Sequence, residues 1–119
     1  MKKSGFRFLI GSCFKDDTLS ITINEKLVLD KTVVTTDKTT GLAPFAITYD
    51  GTELFLNDEI IDAKVNILND LRFIIERNSR EIFSIDKQIR KGRYFIMDGC
   101  KLLKSNLRIV QYKDEPVLD

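Results

Sequence analysis

The chain has 119 residues, enough for one domain whose core buries about 65% of the unfolded surface without help from metal ions. Nineteen lysines and arginines against 18 acids leave a net charge of +1, so no global field draws the protein to nucleic acid or an anionic membrane. A hydrophobic content of 43% with 31% charged residues describes an ordinary globule, with neither the charge excess of a disordered chain nor an apolar run long enough to span a bilayer.

The first fourteen residues, MKKSGFRFLIGSCF, imitate a lipoprotein leader, with two lysines, an apolar run and Cys13. The run Phe6 to Ile10 is shorter than the apolar region of about 7–15 residues that a leader needs, and Arg7 interrupts it. FRFLI therefore reads as a first strand. Without an export signal the expected location is cytoplasmic, where Cys13 and Cys100 are most simply buried reduced thiols, with a disulfide between them as the alternative that the sequence leaves open.

Thr18 to Asn24 alternates Leu19, Ile21 and Ile23 with Thr18, Ser20 and Thr22, the period of a half-buried strand. Turns at Asn24-Glu25-Lys26 and Asp30-Lys31 separate two more short strands, Leu27 to Leu29 and Thr32 to Thr35. Thr35 to Pro44 is a polar, threonine-rich loop. Phe45, Ile47 and Tyr49 then alternate into Asp50-Gly51, a dipeptide suited to a type I′ turn, and Thr52 to Leu56 returns as the partner strand.

The stretch Ile60 to Arg77 fits two structures. A helix gathers Ile60, Ile61, Ile67, Leu68, Leu71, Ile74 and Ile75 on one face but leaves Lys64 inside it and Val65 and Phe73 outside. Two strands explain those exceptions: Ile61, Ala63, Val65 and Ile67 alternate with polar residues, then Leu71, Phe73 and Ile75 do so after a turn at Leu68-Asn69-Asp70. The strand reading is adopted. Residues 79–91 are ambiguous as well, because Asn78 and Glu81 imitate a capping box and Ile82, Ile85 and Ile89 have helical spacing. The neighbouring strands favour Glu81 to Lys87 as a strand burying Phe83 and Ile85. Arg93 to Met97 and Asn106 to Tyr112 read as the last strands, Lys101 to Ser105 as a single helical turn, and KDEPVLD as a loose extended end.

A beat of strand and turn about ten residues long predicts a single all-β domain over 1–119, an antiparallel β-sandwich whose immunoglobulin-like or jelly-roll topology the pattern leaves open. The order of features from FKDDTLSITINEKLVLDKTVVTTDKTTGLA onward resembles small bacterial β-sandwich proteins of unknown role, with no motif that transfers a residue's role.

Chemistry is sparse. With no histidine and two distant cysteines, zinc sites of the usual kind and histidine-assisted nucleophiles are excluded, and no phosphate loop or nucleophile elbow occurs. Asp16, Asp17 and Asp37 are the carboxylates available for calcium, but aspartates also belong in turns for their own hydrogen bonding. No enzyme, metal or cofactor is expected. Two surfaces are candidates: the loop residues Thr36, Asp37, Thr39 and Thr40, and a basic surface of Arg72, Arg77, Arg80, Arg90, Lys91 and Arg93, joined by Lys87. Exposed aromatics do not interleave with these cations, so nucleic acid is not the expected partner. The expected function is a non-enzymatic protein–protein interaction module, an inhibitor, immunity-type factor or assembly component. A homodimer through an exposed edge strand fits this reading. The alternative is a module for carbohydrate or another small polar ligand.

Overall fold

The computed structural model describes residues 5–62, 64–100 and 107–113. Ten strands follow in chain order: β1 Phe6–Ile10, β2 Asp17–Ile23, β3 Lys26–Val34, β4 Ala46–Tyr49, β5 Leu54–Leu56, β6 Glu59–Asp62, β7 Asp70–Arg77, β8 Glu81–Gln88, β9 Tyr94–Asp98 and β10 Arg108–Tyr112. They form a six-stranded sheet, β10-β9-β1-β4-β5-β6, and a four-stranded sheet, β3-β2-β7-β8, packed face to face as an all-β sandwich. Among the described residues no helix is long and apolar enough to cross a membrane.

Alternation builds the core. Phe6, Phe8 and Ile10 of β1, Leu19, Ile21 and Ile23 of β2, and Leu71, Phe73 and Ile75 of β7 are all buried, each set spaced by two as a pleated strand requires. Phe73 joins the two layers. Its ring lies 5.0 Å from Phe8 and 5.3 Å from Phe95 across the sandwich, in pairs that each contribute about 0.5–1.5 kcal/mol beyond the area they bury.

Among the described residues all strand pairings are antiparallel except one: β1 runs parallel to β9, with Phe8 opposite Phe95 and Leu9 opposite Ile96. Parallel pairs sit where both faces are covered and favour continuous apolar runs. Phe95, Ile96 and Met97 are accordingly buried in succession.

Several local expectations are corrected. Asp30-Lys31 is not a turn. β3 runs through it, and the β2–β3 register shifts there, with Lys31 at φ 43° and its amide bonded to Ser20 Oγ, so the polar pair marks a bulge. Asp50-Gly51 is not a two-residue type I′ turn, because the Asp50 carboxylate accepts from the amides of Thr52 and Glu53. This side-chain cap widens the loop, and the returning strand starts at Leu54 instead of Thr52.

The strand expected over Ile61 to Ile67 ends at Asp62, which pairs with Lys26 at 2.7 Å. Residues 64–68 are irregular and tied down by Tyr49, whose hydroxyl donates to Val65 O and accepts from Ile67 N. β8 is a strand paired one-for-one with β7, and the helical signal after it amounts to one 3-10 turn, Ile89–Lys91. The helical turn expected over Lys101 to Ser105 and most of the tail lie outside the described residues.

The largest correction concerns the cysteines: Cys13 and Cys100 form a disulfide, with Cα atoms 4.9 Å apart. The parallel β1–β9 pairing explains it. Gly11 N bonds to Met97 O and Gly99 N to Ser12 O, so the segments leaving both strands run side by side and bring the two cysteines within bridging distance.

Candidate interaction surface

The threonine-rich loop is occupied with holding its own shape. Thr36 Oγ1 donates to Gly11 O at 2.6 Å and accepts from Phe14 N, pinning the loop to the end of β1. Asp37 Oδ1 accepts from Thr39 N, and Thr40 Oγ1 bonds both the amide and the carbonyl of Leu42. Such short-range side-chain bonds are the usual employment of Asp and Thr in turns. Thr39 and Thr40 are exposed, but the four residues do not converge on a shared point.

The basic residues do not form one surface. Arg80, Arg90, Lys91 and Arg93 are exposed, whereas Arg72 is engaged with Asp86 at 2.8 Å. Arg77 is buried, with 8% of its surface exposed. Its guanidinium bonds Asp17 Oδ2 at 3.0 Å and the carbonyls of Gly99 and Cys13, and it lies over the Phe14 ring. It therefore clamps the backbone on both sides of the disulfide.

Burial raises the pKa of Asp17, but hydrogen bonds from Arg77, Asn78 and the Lys15 amide, with the charge of Arg77, outweigh it and hold the carboxyl below its usual range. Asp16 accepts from Thr35 Oγ1, so the three aspartates considered for calcium are each engaged separately. Among the described residues no group of three or more His, Cys, Asp or Glu is arranged to hold a metal ion.

A wide depression opens at the end of β7 and β8, lined by Glu25, Asp70 and Asp86 against Arg72, Lys87 and Lys91. Its charges alternate in sign, and among the described residues no buried polar side-chain atom lacks a partner. It therefore lacks the convergent polar groups that fix a small ligand. Ser12 Oγ donates to Asp98 at 2.9 Å, but the chain has no histidine to act as base.

The outer face of the six-stranded sheet differs from all of these. The registers place Val110, Ile96, Leu9 and Ala46 in one row across it. The next row holds Tyr112, Tyr94, Arg7, Thr48, Phe55 and Ile60. Ile60 is 55% exposed and Tyr112 37%, while Leu9, Phe55, Tyr94 and Val110 are half-buried. At about 4.8 Å per strand spacing, the second row spans about 24 Å. The outer face of the four-stranded sheet is more polar, with Thr18, Ser20, Thr22, Arg72, Glu76, Ser84 and Asp86 among isolated apolar residues.

No family model matches the chain, and neither the curated proteins nor the solved structures compared with it contain a match.

The apolar outer face does not follow from the inward phase of each strand alone. Its signal is nonetheless present: FRFLI, LFL and YFIMD carry apolar residues in both phases, as strands covered on two sides do. Arg77, expected on the basic surface, is the opposite case. It continues the inward phase of Leu71, Phe73 and Ile75, a spacing that places it in the core despite its charge.

Proposed function

We propose that the chain is a non-enzymatic protein-interaction module that presents the outer face of its six-stranded sheet to a protein partner. The observation that carries this reading is the apolar content of that face: Val110, Ile96, Leu9 and Ala46 across β10 to β4, and Tyr112, Tyr94, Phe55 and Ile60 in the adjoining row, where Arg7 and Thr48 stand between them. Contiguous apolar surface on that scale, edged by polar residues, is characteristic of protein contacts, whereas singly scattered apolar residues are not. Tyrosine and arginine, which this face carries in Tyr94, Tyr112 and Arg7, are also among the types that anchor interface centres.

The test uses the purified chain as bait at low and high salt, beside Ile60→Lys and Tyr112→Lys, two changes at exposed positions that leave the core intact. A stoichiometric protein retained by the wild type at high salt and released by both variants supports the reading. Capture that survives both substitutions, or no capture at all, refutes it.

A second reading rests on Tyr94 and Tyr112, cross-strand neighbours beside Arg7. Paired aromatic surfaces next to a hydrogen-bond donor suit a sugar ring or another small polar ligand. Glycan binding lost in Tyr94→Ser and Tyr112→Ser, with no protein captured, would favour it. The cytoplasmic location is expected from the short, Arg7-interrupted apolar run near the start; with Cys13 and Cys100 joined, the setting that suits the protein is an oxidising one.

A further inference from the structure

The four-stranded sheet has two edges, and they are built differently. β3 carries the bulge at Lys31 and is tied to β6 through Lys26 and Asp62, the irregularity and charge that discourage strand addition. β8 carries charge too, in Glu81, Asp86 and Lys87, but no bulge. It pairs with β7 without a register shift from Asp70 opposite Gln88 to Arg77 opposite Glu81, and no described strand lies on its other side.

The hydrogen-bond phase shows which groups face outward. Ile89 N donates to Asn69 O, one step beyond the Asp70–Gln88 pair, so the odd-numbered residues of β8 bond β7 and the even-numbered ones point away. The opposite side of β7 agrees, because Asn24 N donates to the carbonyl of Arg72, an even-numbered residue that faces β2. Ile82, Ser84 and Asp86 therefore direct both amide and carbonyl outward. At the end of the strand the outward Gln88 carbonyl is taken by Gln111 Nε2 at 2.7 Å. The open ladder is thus centred on Ser84.

We propose that a second copy of this chain pairs antiparallel with β8 about a two-fold axis at Ser84, joining the two four-stranded sheets into one. Each outward residue then makes a mutual pair of backbone bonds, Ser84 with its counterpart and Ile82 with the second copy's Asp86. On the inner face, Phe83 meets the second copy's Ile85, and Glu81 meets its Lys87. Half-buried aromatic and β-branched side chains are covered, and opposite charges oppose each other, both favourable cross-strand pairs. The register is selective: moving the axis to Ile85 sets Phe83 against Lys87, and moving it to Phe83 sets Glu81 against Ile85. Ile82, 70% exposed, is brought into contact in the proposed register.

Sedimentation velocity of the purified full chain over a concentration series tests this. The wild type is expected to pass from monomer to dimer as concentration rises. Ser84→Pro removes an amide that β7 does not use, and is expected to remain monomeric with its thermal midpoint little changed. Glu81→Lys should weaken the dimer about tenfold, since like charges then oppose across the axis on both sides, and Glu81→Lys with Lys87→Glu should restore it.

A wild type that stays monomeric at millimolar concentration overturns the proposal, as does a dimer that Ser84→Pro leaves intact. If Ser84→Pro fails to fold, hydrogen exchange of the unaltered chain decides. Slower exchange at the Ser84 amide on concentration supports the pairing, and unchanged exchange overturns it.

Discussion

Replacing Arg77 with methionine keeps much of the side-chain volume and removes the guanidinium. Asp17 would then retain only Asn78 and the Lys15 amide as partners, and the carbonyls of Gly99 and Cys13 would lose their shared donor. Breaking a buried ion pair from one side costs about 3–5 kcal/mol. The lower end applies here, because the cluster lies beside Cys13, which is exposed. About 3 kcal/mol is a large share of a total of about 5–15 kcal/mol and corresponds to a fall in thermal midpoint of about 10–18 °C.

Urea titration and thermal melting at neutral pH measure the loss, with Arg72→Met as the exposed control. The pH series adds an independent check. Because the folded pKa of Asp17 lies below its ordinary value, its contribution is complete above the unfolded value of about 3.9 and is lost as pH falls through the folded one. In Arg77→Met, protonation instead relieves an uncompensated buried carboxylate. The gap between variant and wild type should therefore narrow between pH 5 and about pH 3. A loss below about 1 kcal/mol, or a gap that does not change with pH, would refute the account of Arg77 as a buried clamp.

Other outcomes follow from single features. Tyr49→Phe leaves the Val65 carbonyl and the Ile67 amide without their shared hydroxyl and should cost about 1–3 kcal/mol in urea titration. Replacing both cysteines with serine removes a cross-link between positions 87 apart and should lower stability by about 3–4 kcal/mol; thiol titration before and after reduction checks that the bond was present. Arg72→Ala deletes an exposed ion pair with Asp86 and should leave the thermal midpoint within error. Phe73→Ala removes the ring that joins the layers and should cost about 3–5 kcal/mol.

The parts of the fold legible in the sequence were those set by neighbours along the chain. Leu19, Ile21 and Ile23, and again Leu71, Phe73 and Ile75, announce both their strand and the face they bury, because the pleat has period two. Arg77 followed the same period and was equally legible, had position outweighed charge. The end of β6 was not legible, because the alternation continues past Asp62 while the partner strand does not. The disulfide and the apolar outer face depend on which distant strands become neighbours. Local pattern carries no term for pairing β1 with β9, and without it Cys13 and Cys100 are only two thiols far apart. The bonding within the loop depends on local geometry in the same way: the hydroxyls of Thr36 and Thr40 and the carboxylate of Asp37 bond backbone groups of the loop and its neighbours.

The parallel pairing also sets an order of assembly. β1 lies between β4 and β9, so among the described strands the first in chain order waits for the ninth before its sheet can close. The four-stranded sheet is complete by Gln88, while the larger sheet still lacks two members. Folding should accordingly be slow for a chain of this length, since contacts between distant segments must form before they are rewarded. A nascent or truncated chain ending before Tyr94 would hold a finished half-sandwich facing an unfinished one, with the Phe8 strand unpaired along one side, a state prone to association with its like.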